Sequence, residues 1–176
     1  GGFDKPLRPE QRRFASASFE QYRALVDSAQ RAARGTPLVS VGLAPHSVRA
    51  VPRDLLREVA LLGAERSLPI HMHLSEQRSE VEDCLLALGE TPVAVAAAAG
   101  LLTPRFSAVH ATHLRDGDVE LLAQGGVCVC ACPSTEANLG DGFLPAMALR
   151  DAGVPVCIGS DSHALIDPFA ELRMIE

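Results

Sequence analysis

Five short apolar runs recur along this chain, each leading into a stretch with helical spacing. The runs lie at 37–44, 69–74, 106–111, 127–131 and 154–158. Helices are expected between them at 52–66, 76–88, 92–99, 116–123 and 144–152. Another is expected at 19–33, where Phe19, Tyr22, Val26 and Ala29 share a face and Gly35 closes the helix. On the helix at 52–66, Leu55, Val59 and Leu62 share a face. The runs are nearly continuous in apolar residues, the pattern of parallel strands buried on both sides. Strand and helix in alternation imply a parallel sheet with right-handed crossovers. A doubly wound open sheet and a (β/α)8 barrel both satisfy that order. In a barrel, the residues following every strand converge on one mouth.

Those residues carry chemistry. After the five runs come His46, His71 with His73, His110 with His113, no histidine after the fourth, and Asp161 with His163. All six histidines of the chain belong to this set. His71 and His73 are two residues apart on a strand, so both rings point to one face. Solvated strand ends would explain one or two such residues, but not six in register. Imidazole nitrogen with a carboxylate suits zinc, with one position left open for water. Glu76 follows His73 by three residues, within reach as a proton carrier that is not itself a ligand.

Composition narrows the class. The 176 residues suffice for one domain with a core, and 47% apolar content excludes general disorder. A net charge of −6 and a pI near 5.5 argue against nucleic acid as a partner. No basic-plus-apolar signal opens the chain, and the Ala-rich run 93–102 is too short to span a bilayer. A soluble cytoplasmic protein acting on a small molecule, with no membrane partner, is the expectation. No Gly-x-Gly-x-x-Gly or P-loop follows any strand. The five cysteines, at 84, 128, 130, 132 and 157, do not form a disulfide framework. Cys128, Cys130 and Cys132 read as small core residues on one strand face. Residues 1–13 read as a loop with a basic cluster at Arg8, Arg12 and Arg13, and 132–142 as a long polar loop. Pro168 fits the first position of a terminal helix capped by Asp167. The chain opens without methionine and stops in that helix, so a fragment of a longer protein is expected.

These motifs bear a resemblance. Ala44-Pro45-His46-Ser47-Val48-Arg49-Ala50, His71-Met72-His73-Leu74-Ser75-Glu76-Gln77, Val109-His110-Ala111-Thr112-His113-Leu114, the stretch 132–142 and Gly159-Ser160-Asp161-Ser162-His163 together resemble the amidohydrolase superfamily. Within it they are most similar to the formimidoylglutamate deiminases of histidine degradation. Thr135-Glu136-Ala137-Asn138-Leu139-Gly140-Asp141-Gly142 is the most specific segment, and nearly the whole chain is covered.

The resemblance implies an α/β fold: a partial (β/α)8 barrel holding about strands four to eight. Residues 1–176 would then be a catalytic barrel domain without the first strands or the small β-domain. It implies one zinc ion with His73 and Asp161 as ligands, Glu76 as proton shuttle, and His110 beside the reacting centre. Asp161 would also act as base, while His46 and Arg49 contact substrate, Arg49 suited to a carboxylate. Hydrogen bonding to ligands is implied for His71, His113 and His163. The reaction implied is hydrolysis of N-formimidoyl-L-glutamate to N-formyl-L-glutamate and ammonia, in a full-length homodimer. The family's first-strand His-x-His has no counterpart before His46. Three alternatives stand beside this: a purine, pterin or triazine deaminase or chlorohydrolase of the same superfamily, an inactive chain with an incomplete metal site, or a plain α/β binding module.

Overall fold

A computed structural model describes residues 3, 6, 9–16 and 18–175. A 3-10 helix over Pro9–Phe14 precedes α1 (Phe19–Ala33) and α2 (Arg53–Arg66). Then come β1 (Ile70–Leu74), α3 (Arg78–Leu88), α4 (Pro92–Ala98), β2 (Phe106–His110) and α5 (Asp118–Gly125). They are followed by β3 (Cys128–Ala131), α6 (Pro133–Leu139), α7 (Ala146–Asp151), β4 (Val156–Ile158) and α8 (Pro168–Ile175). The sheet runs β1-β2-β3-β4, and every pair is parallel. The expected strand–helix alternation is therefore present, with all four strand tips at one end.

The two faces of the sheet differ. Ile70, Met72, Leu74, Phe106, Ala108, Val129 and Ala131 are buried under the helices. Leu56, Leu62, Val95, Leu122 and Leu149 complete that core from the helical side. His71, Cys128, Cys130 and Cys157 lie on the other face, half-buried or exposed. The cysteines expected in the core are thus split: Cys132 is buried, whereas Cys128 and Cys130 sit on the open face.

The expected first strand, 37–44, does not form as a strand. Leu43 pairs with Ile70 and Ser47 with His73 as isolated bridges. That register sets residues 37–41 beyond the start of β1, with no strand partner alongside among the described residues, and Leu38 is 97% exposed. Between the bridges the ladder slips. An unbroken parallel ladder would have residue 45 donate to His71 and accept from His73. Pro45 has no N–H, and the His46 carbonyl takes the His73 N–H instead, at 3.2 Å.

Three other expectations are corrected. Leu55 faces outward and Leu56 is buried in its place. The helix expected from residue 76 starts at Arg78, because Ser75 is left-handed (φ 52°) and Gln77 is the cap. The polar stretch 132–142 is not all loop. Pro133 starts α6, the Glu136 side chain accepts from the Cys132 N–H at 3.0 Å, and Gly140 ends the helix at φ 71°. Of the basic cluster, Arg8 lies outside the described residues. Asp167 does cap α8, accepting from the N–H groups of Phe169 and Ala170. Buried Glu171 of α8 accepts from Ser134 in α6. No helix among the described residues is long and apolar enough to cross a membrane.

One glycine tests the packing. A Cβ on Gly125 would lie 2.9 Å from the Leu102 Cβ and 3.1 Å from its backbone carbonyl. Gly→Ala near a helix end ordinarily gains stability, up to about 1 kcal/mol. Gly125→Ala should instead lose about 1–3 kcal/mol, because backbone must move. Urea unfolding measures the sign; a stabilised variant would contradict this packing.

Candidate metal and catalytic site

Side chains from four strand tips meet at the C-terminal end of the sheet. His46 and His73 have ring centroids 5.0 Å apart. His73 stacks on His110 at 5.6 Å with an interplanar angle of 17°. Pleat alternation would send His110 to the helix-covered side with Phe106 and Ala108. Left-handed backbone at His110 (φ 75°) and Ala111 (φ 52°) ends the pleat and brings the ring to His73. Asp161 is likewise left-handed, at φ 38°. Non-glycine residues in that region store strain, which concentrates at functional sites.

Hydrogen bonds orient the rings. The His73 Nδ1 lies 2.8 Å from the His46 carbonyl oxygen, which only accepts. Nδ1 therefore carries the proton, and Nε2 presents a lone pair whenever the ring is neutral. The His110 Nδ1 lies 3.2 Å from the buried Glu136 carboxylate. Its Nε2 lies 3.7 Å from Glu76 Oε1. The ring thus stands between two carboxylates. Burial alone would depress its pKa; the Glu136 hydrogen bond and the charges of Glu76, Glu136 and Asp161 together outweigh that and raise it.

Glu76 is 8% exposed, and its other oxygen accepts from Arg49 at 2.7 Å. Arg49 also donates to Gln77 at 3.2 Å, and its Nε is 4.0 Å from Glu80. Glu80 is buried, accepts from the Glu76 N–H at 2.9 Å, and has its pKa raised by that burial. His46 bonds Ser47 Oγ through Nδ1, and its pKa is lowered by burial and then by the neighbouring His73 and Arg49. An open cleft beside the mouth is lined by Gln77, Arg78, His113 and Asp141.

The remaining histidines separate from this group. His113 donates through Nε2 to the Asp141 carbonyl and anchors the turn after α6. His71 shares the His73 face but is exposed, as is His163. Neither makes a side-chain hydrogen bond among the described residues.

A model of the amidohydrolase family matches residues 7–176. This chain belongs to the amidohydrolase family. Formimidoylglutamate deiminase of Pseudomonas aeruginosa is 38% identical over 172 residues, covering 98% of this chain and 37% of that protein. The crystal structure of an amidohydrolase from Brucella melitensis superposes with a TM-score of 0.92 at 38% identity, over 99% of this chain and 39% of that one. An adenosine deaminase from Xanthomonas campestris, solved with bound zinc, gives 0.83 at 33% identity, over 90% and 37%. The chain therefore spans about two fifths of the length of these relatives, and its sheet is part of an amidohydrolase barrel.

The mouth of this amidohydrolase has the donor chemistry for a divalent metal. His110, Cys132 and Asp161 each offer a ligand atom, and these atoms lie within 4.8 Å of one another. His73 stacks on His110 and so stands beside this group of donors. Sequence reading passed over Cys132 and Glu136. Cys132 looked like a core residue, and Glu136 lay in an apparent loop; Glu136 four residues beyond Cys132, with Pro133 between, was the available signal of a helix start.

Glu136 sets the state of His110. In the metal-free amidohydrolase, a raised histidine pKa contributes stability that is full below the unfolded value, near 6.5, and lost as pH rises through the folded one. Glu136→Gln should lower the His110 pKa and narrow that window, followed by NMR titration of the imidazole. An unchanged titration would show that Glu136 does not hold the ring.

Proposed function

We propose that this chain carries much of the active site of a metal-dependent hydrolase that converts N-formimidoyl-L-glutamate and water to N-formyl-L-glutamate and ammonia. The observation that carries the reading is Glu76: one oxygen faces the His110 Nε2 while an arginine holds the other, beside a set of metal donors. A carboxylate so placed is positioned to move protons at the mouth of the barrel. Likeness to a formimidoylglutamate deiminase across 98% of the chain supports the substrate.

His73 and Asp161 are the proposed metal-holding residues of the longer protein, with His73 using Nε2. A divalent metal held there, zinc for preference, would supply a water of pKa lowered to ~7. Asp161 accepts the proton of the attacking water. Glu76 carries a proton to the departing nitrogen, so that the C–N bond breaks as ammonia forms. His110, held in place by Glu136, steadies the tetrahedral centre. His46 lines the mouth. Arg49 spends one hydrogen of each terminal nitrogen on Gln77 and Glu76, and the second hydrogen of each remains for a substrate carboxylate.

A second reading is an adenosine-type deaminase, supported by likeness to the zinc-bound enzyme of Xanthomonas campestris. Against it, the chain has no Trp and a single Tyr, and Tyr22 packs on Phe19 of its own helix.

In the whole protein, Glu76→Gln should lower kcat by roughly 10²- to 10⁴-fold, the usual worth of acid–base transfer, without loss of metal. Steady-state kinetics and metal analysis check both parts. Full turnover in that variant would remove Glu76 from the mechanism. Parallel assays on formimidoylglutamate and adenosine separate the readings: deamination of adenosine alone would sink the first.

A further inference from the structure

We propose that Thr135 is a positioning residue for Asp161: its buried hydroxyl holds the peptide unit that follows Asp161 and so aims that carboxylate at the mouth. The inference rests on the reading above, in which Asp161 holds the metal and accepts the proton of the attacking water.

Residues 160–163 form a turn beyond β4, closed by the His163 N–H, which donates to the Ser160 carbonyl at 2.9 Å. Asp161 is the first central residue of that turn and holds φ 38°, a place where turns ordinarily use glycine. Asp161, Ser162 and His163 are all exposed, so packing does little to offset the strain. Thr135 supplies the constraint instead. Its Oγ1 accepts from the Ser162 N–H at 3.1 Å and lies 2.9 Å from the Ser162 Oγ. Among the described residues, these are the hydrogen bonds that tie 161–163 to another element. The Ser162 N–H shares a rigid plane with the Asp161 carbonyl, so holding it holds ψ of Asp161.

Thr135 can act as an anchor because it is itself anchored. It is 1% exposed and sits in the first turn of α6. On one side of it, Ser134 donates its N–H and its hydroxyl to the buried Glu171 of α8. On the other, Glu136 accepts from the Cys132 N–H and meets the His110 ring. Three consecutive side-chain positions thus tie one helical turn to α8, to the turn after β4 and to the tip of β2. Threonine within a helix commonly spends its hydroxyl on a carbonyl of the preceding turn. Here the hydroxyl reaches across to a different strand tip. The result is visible at the mouth, where a carboxylate oxygen of Asp161 lies within 4.8 Å of a His110 nitrogen.

Thr135→Val in the whole protein tests this, since it keeps the shape and removes the hydroxyl. In the metal-free protein, hydrogen exchange at the Ser162 amide should quicken by roughly 3- to 10-fold, the worth of one hydrogen bond, with the amides of β3 unchanged. Zinc affinity, measured by chelator competition, should weaken by about 10- to 100-fold, as for other outer partners of metal ligands. Thr135→Ser should restore both. Should valine disturb folding, Thr135→Ala is expected to show the same two losses. Native exchange and native zinc affinity in Thr135→Val would overturn the proposal. So would a Thr135→Ser variant as impaired as Thr135→Val, because the γ-methyl and not the hydroxyl would then matter. Asp161→Ala separates this from the reading beneath it. Zinc lost in Asp161→Ala but retained in Thr135→Val overturns the proposal alone; zinc retained in Asp161→Ala overturns the ligand assignment and the proposal with it.

Discussion

Parallel pairing in sequential order is the constraint on which the mouth depends. Because β1 to β4 all run the same way, the residues after Leu74, Val109, Ala131 and Ile158 emerge at one end. An antiparallel neighbour anywhere in the sheet would have sent one of them to the far side. The helices enforce this order by covering one face with apolar contacts, leaving the other for His71, His73 and the thiols. A break in the ladder refines it: where Pro45 cannot donate, the chain admits an extra residue, and the His46 carbonyl accepts from both the backbone and the ring of His73.

Around that frame, charge is arranged in a chain. Glu80 receives the Glu76 N–H, Arg49 holds the Glu76 carboxylate, Glu76 faces His110, and His110 is bonded to Glu136. Three carboxylates thus share one guanidinium and one imidazole in a largely buried space. Removal of Arg49 would leave Glu76 and Glu80 without their guanidinium. The local field favours protons and cations at the mouth, whatever the net charge of the molecule.

Much of this was legible before any coordinates. The continuous apolar runs identified four strands of the parallel sheet, and the histidines and Asp161 after them marked the site. What escaped reading had physical causes. Segment 37–44 is apolar enough for a strand, but register along β1 decides pairing, and register is not local. Leu55 and Leu56 are equally apolar, and only the rotation of α2 against the core chooses between them. The polarity of Ser134, Thr135 and Glu136 suggested a loop, although Thr135 and Glu136 are buried. Their polar atoms are satisfied by Ser162, Cys132 and His110, partners remote from periodicity. Cys132 was taken for packing because a lone side-chain identity does not announce its neighbours.

The left-handed tips have a consequence for how such a mouth changes over generations. Ser75, His110, Asp161 and His163 all hold positive φ. Histidine, aspartate, asparagine and glycine tolerate that backbone; β-branched side chains do not. Variation at these four positions is therefore drawn from a short alphabet that happens to be rich in metal donors and proton carriers. Drift at the tips stays close to reactive chemistry, and new specificity is more readily gained in the cleft around Gln77 and Arg78, where the backbone imposes no such filter.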